Sequence, residues 1–253
     1  MSYTGLRERL RARTPTTVGF LDLGSPISAQ VTAMSGFDVV VVDLEHGAGD
    51  ETAARAQLTA AEPHAAVVVR VPGGPAQAGR MLDAGASGVI VPQVASADEA
   101  ETVAAAVRYA GGGRGMSSLS RGNRFGMTEP GWAARADAGL ACIVQIERAS
   151  ALEQVDAIAA LPEVDALLMG PADLSNSLGC APDLDDDERL RAAAQSIAAA
   201  AKSHGKTAAL HLARADQAPT YAGLGFTMLS CTFEAAVLAA GSKTAAAALR
   251  QAL

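Results

Sequence analysis

Several polar side chains follow directly after short apolar runs, where a strand would end. Candidates for chemistry are Asp43 and His46 after FDVVVV, Arg70 after AAVVV, Glu147 after ACIVQI, and Asp173 after VDALLMGPA. Carboxylates suit hard divalent cations such as Mg2+ or Mn2+. An arginine can hold a carboxylate or an enolate oxygen, and a histidine beside an acid can move a proton. Together these residue types predict metal-assisted enolisation of a small 2-oxo acid.

Each of these residues also has a purely structural interpretation. Asp43 could cap the segment that follows it, His46 could lie in a surface loop, and Arg70 could pair with a neighbouring carboxylate. Glu147 and Asp173 could cap helices. The prediction therefore rests on convergence, because burying several charges in one place requires a metal or a charged ligand as their partner.

Eight β-branched runs predict the strands that position these side chains. They lie at 17–23, 37–43, 65–71, 87–93, 141–147, 164–170, 206–212 and 226–232, with helical patterns between nearly all of them. Most lack polar alternation, which is typical of parallel strands buried on both faces. The pattern predicts an α/β fold, a single (β/α)8 TIM barrel over residues 1–253. A doubly wound sheet is the alternative, although no G-x-G-x-x-G motif follows the first strand.

A barrel carries its chemistry at the carboxyl ends of its strands, so the polar residues should meet at one mouth. Glu147 and Asp173 end the adjacent fifth and sixth strands, which lie about 4.8 Å apart. Their carboxylates should converge on one cation, and without it one of them would tend to stay protonated. The lysines are Lys202, Lys206 and Lys243. None ends a strand, which argues against an imine mechanism.

Composition excludes several classes of function. The net charge of -7 provides no basic surface for nucleic acid, and no apolar run is long enough to span a membrane. The first residues lack the apolar core of a signal peptide. Cys142, Cys180 and Cys231 are odd in number and far apart. They indicate buried small side chains in a reducing cytoplasm rather than disulfides or a zinc site.

Two further segments carry predictions. Residues 111–137 are rich in Gly, Ser and Arg, and one of Arg121 and Arg124 is expected to order this loop near the mouth or to meet an acidic substrate. A structural pairing with surface acids is the equal alternative. The last helix, about 233–251, has an apolar Ala/Leu stripe that is wide for a surface helix. This stripe could pack on its own barrel or on another subunit.

These motifs resemble a known family. The runs GFDVVVVDLEHG, GASGVIVPQV, SRGNRFG and VQIERASALEQVDAIAALPEVDALLMGPADLSNSLG are similar to the HpcH/HpaI aldolases, the class II pyruvate aldolases, over roughly residues 15–235. The resemblance implies that Glu147 and Asp173 are metal ligands and that Arg70 stabilises the pyruvate enolate. It also implies that His46, oriented by Asp43, works with a metal-bound water as the acid/base.

The resemblance adds a substrate site. Gln145 would hydrogen-bond near the reacting oxygen, and Gly170, Pro171 and Ala172 would shape a loop whose backbone N–H groups receive the substrate carboxylate. The implied reaction is reversible cleavage of a 4-hydroxy-2-oxo acid, such as 4-hydroxy-2-oxoheptanedioate or 2-dehydro-3-deoxyglucarate, to pyruvate and an aldehyde. It would proceed through a metal-stabilised enolate with Mg2+, Mn2+ or Co2+. Oxaloacetate decarboxylase or another 2-oxo acid lyase is the alternative.

The family also implies a homo-oligomer, a trimer or hexamer, in which the helix at about 233–251 is exchanged between subunits. The chain departs from the family in two places. Ala110–Gly113 replaces a proline-rich run, and the Pro92-Gln93-Val94 segment differs from the expected one. The second departure leaves the aldehyde half of the substrate open.

Overall fold

Eight parallel strands form a closed barrel, in which each strand pairs with its sequence neighbours and the last closes on the first. The computed structural model describes residues 5–253, so the first four residues of the predicted domain lie outside the described part. The strands are β1 (Thr16–Leu21), β2 (Val39–Asp43), β3 (Ala66–Arg70), β4 (Gly88–Val91), β5 (Ala141–Ile146), β6 (Ala166–Met169), β7 (Thr207–His211) and β8 (Phe226–Phe233).

The predicted TIM barrel is confirmed, and strand ends differ from the predicted ones by only one to two residues at most positions. The fourth strand stops at Val91 rather than at Gln93. Pro92 has no N–H to donate to a ladder, and Gln93 has a left-handed backbone with φ 61°. The chain therefore turns out of the sheet directly below the mouth.

Twelve α-helices occur within the described residues. They are α1 (Leu6–Arg11), α2 (Pro26–Met34), α3 (Glu51–Ala61), α4 (Gly74–Asp83), α5 (Ala97–Ala106), α6 (Trp132–Gly139), α7 (Ala149–Glu153), α8 (Val155–Ala160), α9 (Pro171–Leu178), α10 (Glu188–Ser203), α11 (Ala218–Leu224) and α12 (Glu234–Ala252). Ser25, Asp50, Ser96 and Asp187 cap α2, α3, α5 and α10 by accepting a backbone N–H. Between residues 5 and 253, none of the helices has the length and apolarity needed to cross a membrane.

Alternate residues of each strand build two separate apolar layers. Val18, Phe20, Val41, Val68 and Ile143 belong to the layer that fills the barrel interior. The other face of each strand packs against the helices, with many alanines that let helix and sheet approach closely. Because the interior layer consists of apolar side chains, the barrel is a packed core, and only its carboxyl end opens as a mouth.

A cluster of ions closes the opposite, amino-terminal end of the barrel. Asp165, fully buried just before β6, accepts hydrogen bonds from Arg7 Nε and Arg108 Nη2, both at 2.8 Å, and from Arg11 Nε at 3.2 Å. Lys206 lies at the same end, where its Nζ donates to two backbone carbonyls. The lysine that opens β7 is therefore remote from the mouth, as the sequence predicts.

The irregular segment 111–137 also lies at the amino-terminal end. Arg121 donates to the carbonyl of Ala84 at 3.0 Å and to the carboxylate of Glu62, and both residues precede strands. Arg121 and Arg124 both line a cavity of about 850 Å3 between this segment and residues 85–87. The prediction that these arginines lie near the mouth is therefore wrong within this chain. The partners of Arg121 are structural carboxyl and carbonyl groups on the other side of the barrel.

Candidate active site

The last residues of β2 and β3 form a buried ion pair at the mouth. Strand register places Asp43 directly beside Arg70. Asp43 Oδ1 accepts from Arg70 Nε at 2.9 Å, and Oδ2 accepts from Nη2 at 2.5 Å. Burial alone would raise the pKa of Asp43, but the hydrogen bonds and charge of Arg70 outweigh burial and hold that pKa below its usual value. The guanidinium is thus fixed in orientation by a bidentate contact.

The loop after β2 folds around the same carboxylate. Asp43 Oδ1 accepts the backbone N–H groups of Glu45 at 2.9 Å and of His46 at 3.2 Å. The side chain of Asp43 therefore holds the backbone of His46 and does not contact its imidazole. The acid beside the imidazole is Glu45, with Oε2 lying 3.8 Å from His46 Nε2 and 3.1 Å from Arg70 Nη1. The imidazole is 63% exposed and so is open to the mouth.

Glu147, which follows β5, is a second buried carboxylate of the mouth. It is 1% exposed, its Oε1 accepts the backbone N–H of Gln93 at 2.6 Å, and its Oε2 accepts the side-chain amide of Gln145. Burial raises the pKa of Glu147. The hydrogen bond from Gln93 opposes this rise, and the negative charges of Glu45 and Asp173 add to it.

Gly170 and the first turn of α9 complete this side of the mouth. A Cβ built on Gly170 would lie 2.6 Å from Glu147 Oε2 and 2.9 Å from Gln145 Nε2, so the close approach of the loop requires glycine. Pro171 begins the helix, and the backbone N–H groups of Ala172 and Asp173 have no acceptor among the described residues. Such free N–H groups at a helix start favour an anion.

Asp173 is exposed in this first turn, and its charge acts on Glu147. The structure thus brings together the site residues predicted from the sequence on β2, β3, β5 and the start of α9. Glu45 is not among the site residues predicted from the sequence. The signal that could have found it is the pair of polar residues, Glu45 and His46, just after the end of β2. Gln145 Oε1 is buried with no partner in the described residues, so one oxygen at the floor of the mouth still lacks a donor or a cation.

The opposite wall of the mouth contains a histidine between two phenyl rings. The His211 ring, at the end of β7, lies edge-on to Phe20 with centroids 5.7 Å apart, and 4.8 Å from Phe233. His211 Nδ1 is 2.8 Å from Ser230 Oγ on β8. Burial, together with the charge of Arg70, lowers the pKa of His211 to about 4. The sequence alone predicts no role for His211.

Comparisons with known proteins cover the whole barrel. The family described as HpcH/HpaI aldolase/citrate lyase matches residues 16–240. The 5-keto-4-deoxy-D-glucarate aldolase of Salmonella arizonae is 35% identical over 224 residues, which are 87% of each chain. The hydroxypyruvate/pyruvate aldolase of Paraburkholderia phytofirmans is 35% identical over 207 residues, 78% of this chain and 79% of that one. A crystal structure of an HpcH/HpaI aldolase/citrate lyase family protein from Burkholderia cenocepacia superposes with a TM-score of 0.90 at 31% identity, over 98% of this chain and 99% of that one.

Proposed function

Since this chain belongs to the HpcH/HpaI aldolase/citrate lyase family and is a carbon–carbon lyase of the aldolase class, we propose that it uses Glu147 and Asp173 to hold a divalent cation. The reaction is reversible cleavage of a 4-hydroxy-2-oxo acid to pyruvate and an aldehyde. The relatives named as 5-keto-4-deoxy-D-glucarate and hydroxypyruvate/pyruvate aldolases support this substrate class.

The uneven charge of the mouth is the observation that carries the proposal. The carboxylates of Asp43, Glu45, Glu147 and Asp173 share it with the guanidinium of Arg70. Asp43 and Glu45 already occupy Arg70, so Glu147 and Asp173 are left without a hydrogen-bonded cation among the described side chains. Glu147 is buried, and the negative charge of the exposed Asp173 acts on it, so a positive partner would stabilise its ionised form.

The donor set fits a hard cation with a largely open coordination sphere. Among residues 5–253, no three or more His, Cys, Asp and Glu side chains are arranged to hold a metal together. In this proposal the two carboxylates of Glu147 and Asp173 supply the protein ligands, and water and substrate would fill the other positions, as is usual for Mg2+ and also possible for Mn2+ and Co2+. When bound, the cation would polarise the oxo group of the substrate.

The chain's own groups would then handle the substrate. The free backbone N–H groups of Ala172 and Asp173 receive its carboxylate at the start of α9. Arg70, held rigid by Asp43, keeps N–H donors for the oxygen on which enolate charge develops. A preorganised donor of this kind contributes about 100-fold or more to kcat.

His46 is the proposed acid/base. Its imidazole is 63% exposed, and histidine is the side chain that most often serves as general acid and base in catalysis. Asp43 fixes the backbone of His46, and Glu45 Oε2 lies 3.8 Å from Nε2 of the ring. In the cleavage direction His46 would take the proton of the 4-hydroxyl group, the C3–C4 bond would break as the aldehyde C=O forms, and the electron pair would remain on the enolate of pyruvate beside Arg70. Protonation of C3 would then give pyruvate.

The test uses Glu147→Gln and Asp173→Asn, with Asp156→Asn on the exposed face of α8 as the matched control. Wild type should lose aldol cleavage and deuterium exchange into the methyl group of pyruvate after chelation, and should regain both with Mg2+, Mn2+ or Co2+. Neither site variant should regain them, although both should fold and the control should behave as wild type. Full activity in chelated wild type, or a normal metal response in both variants, would refute the proposal. Carbon dioxide release from oxaloacetate, measured on the same samples, separates a decarboxylase from an aldolase.

We further propose that the protein is a homo-oligomer, a trimer or hexamer, in which α12 packs on another subunit. From Ala236 onward every residue of α12 is exposed, including Val237 and Leu238. α2 presents an apolar stripe with Ile27 74%, Val31 60% and Met34 63% exposed. These positions are four and three residues apart, as on one helix face, and a second copy's α12 would cover them. A monomer by light scattering at micromolar concentration would refute this assembly.

A further inference from the structure

His211 lies on the wall of the mouth that the proposed chemistry leaves unused. In an eight-stranded barrel three strands lie between β3 and β7 on either side, so His211 faces Arg70 from across the barrel. Phe20 on β1 contacts both, with the Arg70 guanidinium 5.5 Å from its ring centroid. The groups proposed to hold pyruvate come from β3, β5 and the start of α9. The wall formed by β7, β8 and β1 is therefore left for the other half of the substrate.

The ring of His211 is held in one place. Strand register sets it beside Ser230, and the 2.8 Å contact between Nδ1 and Ser230 Oγ fixes its plane. Phe20 and Phe233 pack against it from two sides. Such support from packing and a hydrogen bond is typical of a side chain whose orientation serves a binding site.

One polar atom of this ring remains available. His211 Nε2 makes no hydrogen bond within the described residues, and it is not among their buried unpartnered atoms, so it is open to the mouth. Burial and the charge of Arg70 lower its pKa to about 4, and no carboxylate opposes them, so the imidazole is neutral near pH 7. A neutral imidazole offers one N–H donor or one lone pair, according to its tautomer. This suits a hydroxyl group and provides no counter-charge for a carboxylate.

We propose that His211, oriented by Ser230, is a specificity-determining residue that hydrogen-bonds a hydroxyl group on the aldehyde half of the substrate. The inference rests on the proposed function, which places pyruvate on the opposite wall. The two phenyl rings beside His211 would contact the C–H groups of the same short chain. The preferred partner of pyruvate is accordingly a hydroxyaldehyde rather than an alkyl aldehyde.

The experiment compares glycolaldehyde with acetaldehyde, which differ by one hydroxyl group, as partners of pyruvate. Wild type should favour glycolaldehyde by about tenfold or more in kcat/KM, because a site built around a hydroxyl discriminates against a substrate that lacks it. His211→Leu should abolish that preference. His211→Gln should restore part of it, since its amide reaches the region of Nε2. Ser230→Ala should weaken the preference, whereas Cys231→Ala, the next residue on β8 with an exposed side chain, should retain it.

Two results overturn the assignment while the proposed function stands. One is an equal fall for both aldehydes in His211→Leu, His211→Gln and Ser230→Ala. The other is an unchanged preference in all three variants. In either case wild type would still catalyse metal-dependent deuterium exchange into pyruvate, a reaction that needs no aldehyde. Absence of that exchange in wild type with every metal would remove the proposed function and the assignment together.

Discussion

Replacing Gly170 with alanine should disable the mouth without disturbing the barrel. The backbone of Gly170, at φ -98° and ψ 92°, is accessible to alanine, so the change introduces no strain of its own. The new Cβ would lie 2.6 Å from Glu147 Oε2, whereas ordinary contact begins near 3.4 Å. The carboxylate must therefore move by about 0.8 Å, the difference between these two distances.

Glu147 has little room for that movement. Its other oxygen is held by the backbone N–H of Gln93 at 2.6 Å, and Gln145 contacts the oxygen that must shift. A displacement near 1 Å at a reacting centre costs about 100-fold in rate. We therefore expect kcat/KM to fall about 100-fold and the affinity for the activating cation to weaken. Overpacking of this size lowers stability by about 1–3 kcal/mol, which the barrel should tolerate.

The assay is a titration of Mn2+ or Mg2+ into chelated enzyme, followed by both pyruvate deuterium exchange and aldol turnover. Gly79→Ala is the matched control, since nothing lies within 4 Å of a Cβ at that position in α4. That variant should match wild type in both measurements. If Gly170→Ala binds the cation and turns over within twofold of wild type, the reasoning is refuted. Cation binding would then not depend on the position of the Glu147 carboxylate beside Gly170.

Three further predictions follow from the charged groups. Borohydride with pyruvate should leave the enzyme unlabelled and active, because no lysine reaches the mouth; a pyruvate adduct on any lysine in a peptide map would contradict the metal mechanism. The pKa of Glu147 is higher in the folded than in the unfolded chain. Its ionisation therefore destabilises the folded state increasingly as the pH rises from the unfolded-state pKa to the folded-state pKa. Metal-free Glu147→Gln should accordingly melt above metal-free wild type at neutral pH, with the difference vanishing at acid pH, and equal Tm values at all pH would refute the stated charge balance. Asp165→Asn should lower the free energy of unfolding by about 3–5 kcal/mol in chemical denaturation, because it leaves buried arginines unpaired. The control Asp156→Asn should change it by at most about 1 kcal/mol, because the carboxylate of Asp156 is exposed and pairs with a histidine.

The local pattern of the chain was enough to predict its strands and the end of the barrel at which the polar side chains meet. β-Branched runs such as VVVV before Asp43 indicate strands buried on both faces, and their alternation with helices specifies a parallel barrel. Asp43, Arg70 and Glu147 could be assigned to the mouth because a parallel barrel brings all strand ends to one side. Strand order and a side-chain period of two are properties of short segments, so they can be read without knowledge of distant contacts.

Contacts between residues far apart along the chain were decided by the tertiary structure. Asp43 pairs with Arg70 rather than with the imidazole of His46, because strand register sets the two side by side and the guanidinium matches the carboxylate in two hydrogen bonds. Arg121 lies at the amino-terminal end, because its loop folds back onto residues that precede strands. The wall formed by Phe20, His211 and Phe233 unites three strands, β1, β7 and β8, that meet only when the barrel closes. Sequence spacing indicates which face of a strand a residue lies on and where the strand ends. The contact partner of each side chain depends on how the strands and loops of the closed barrel pack in three dimensions.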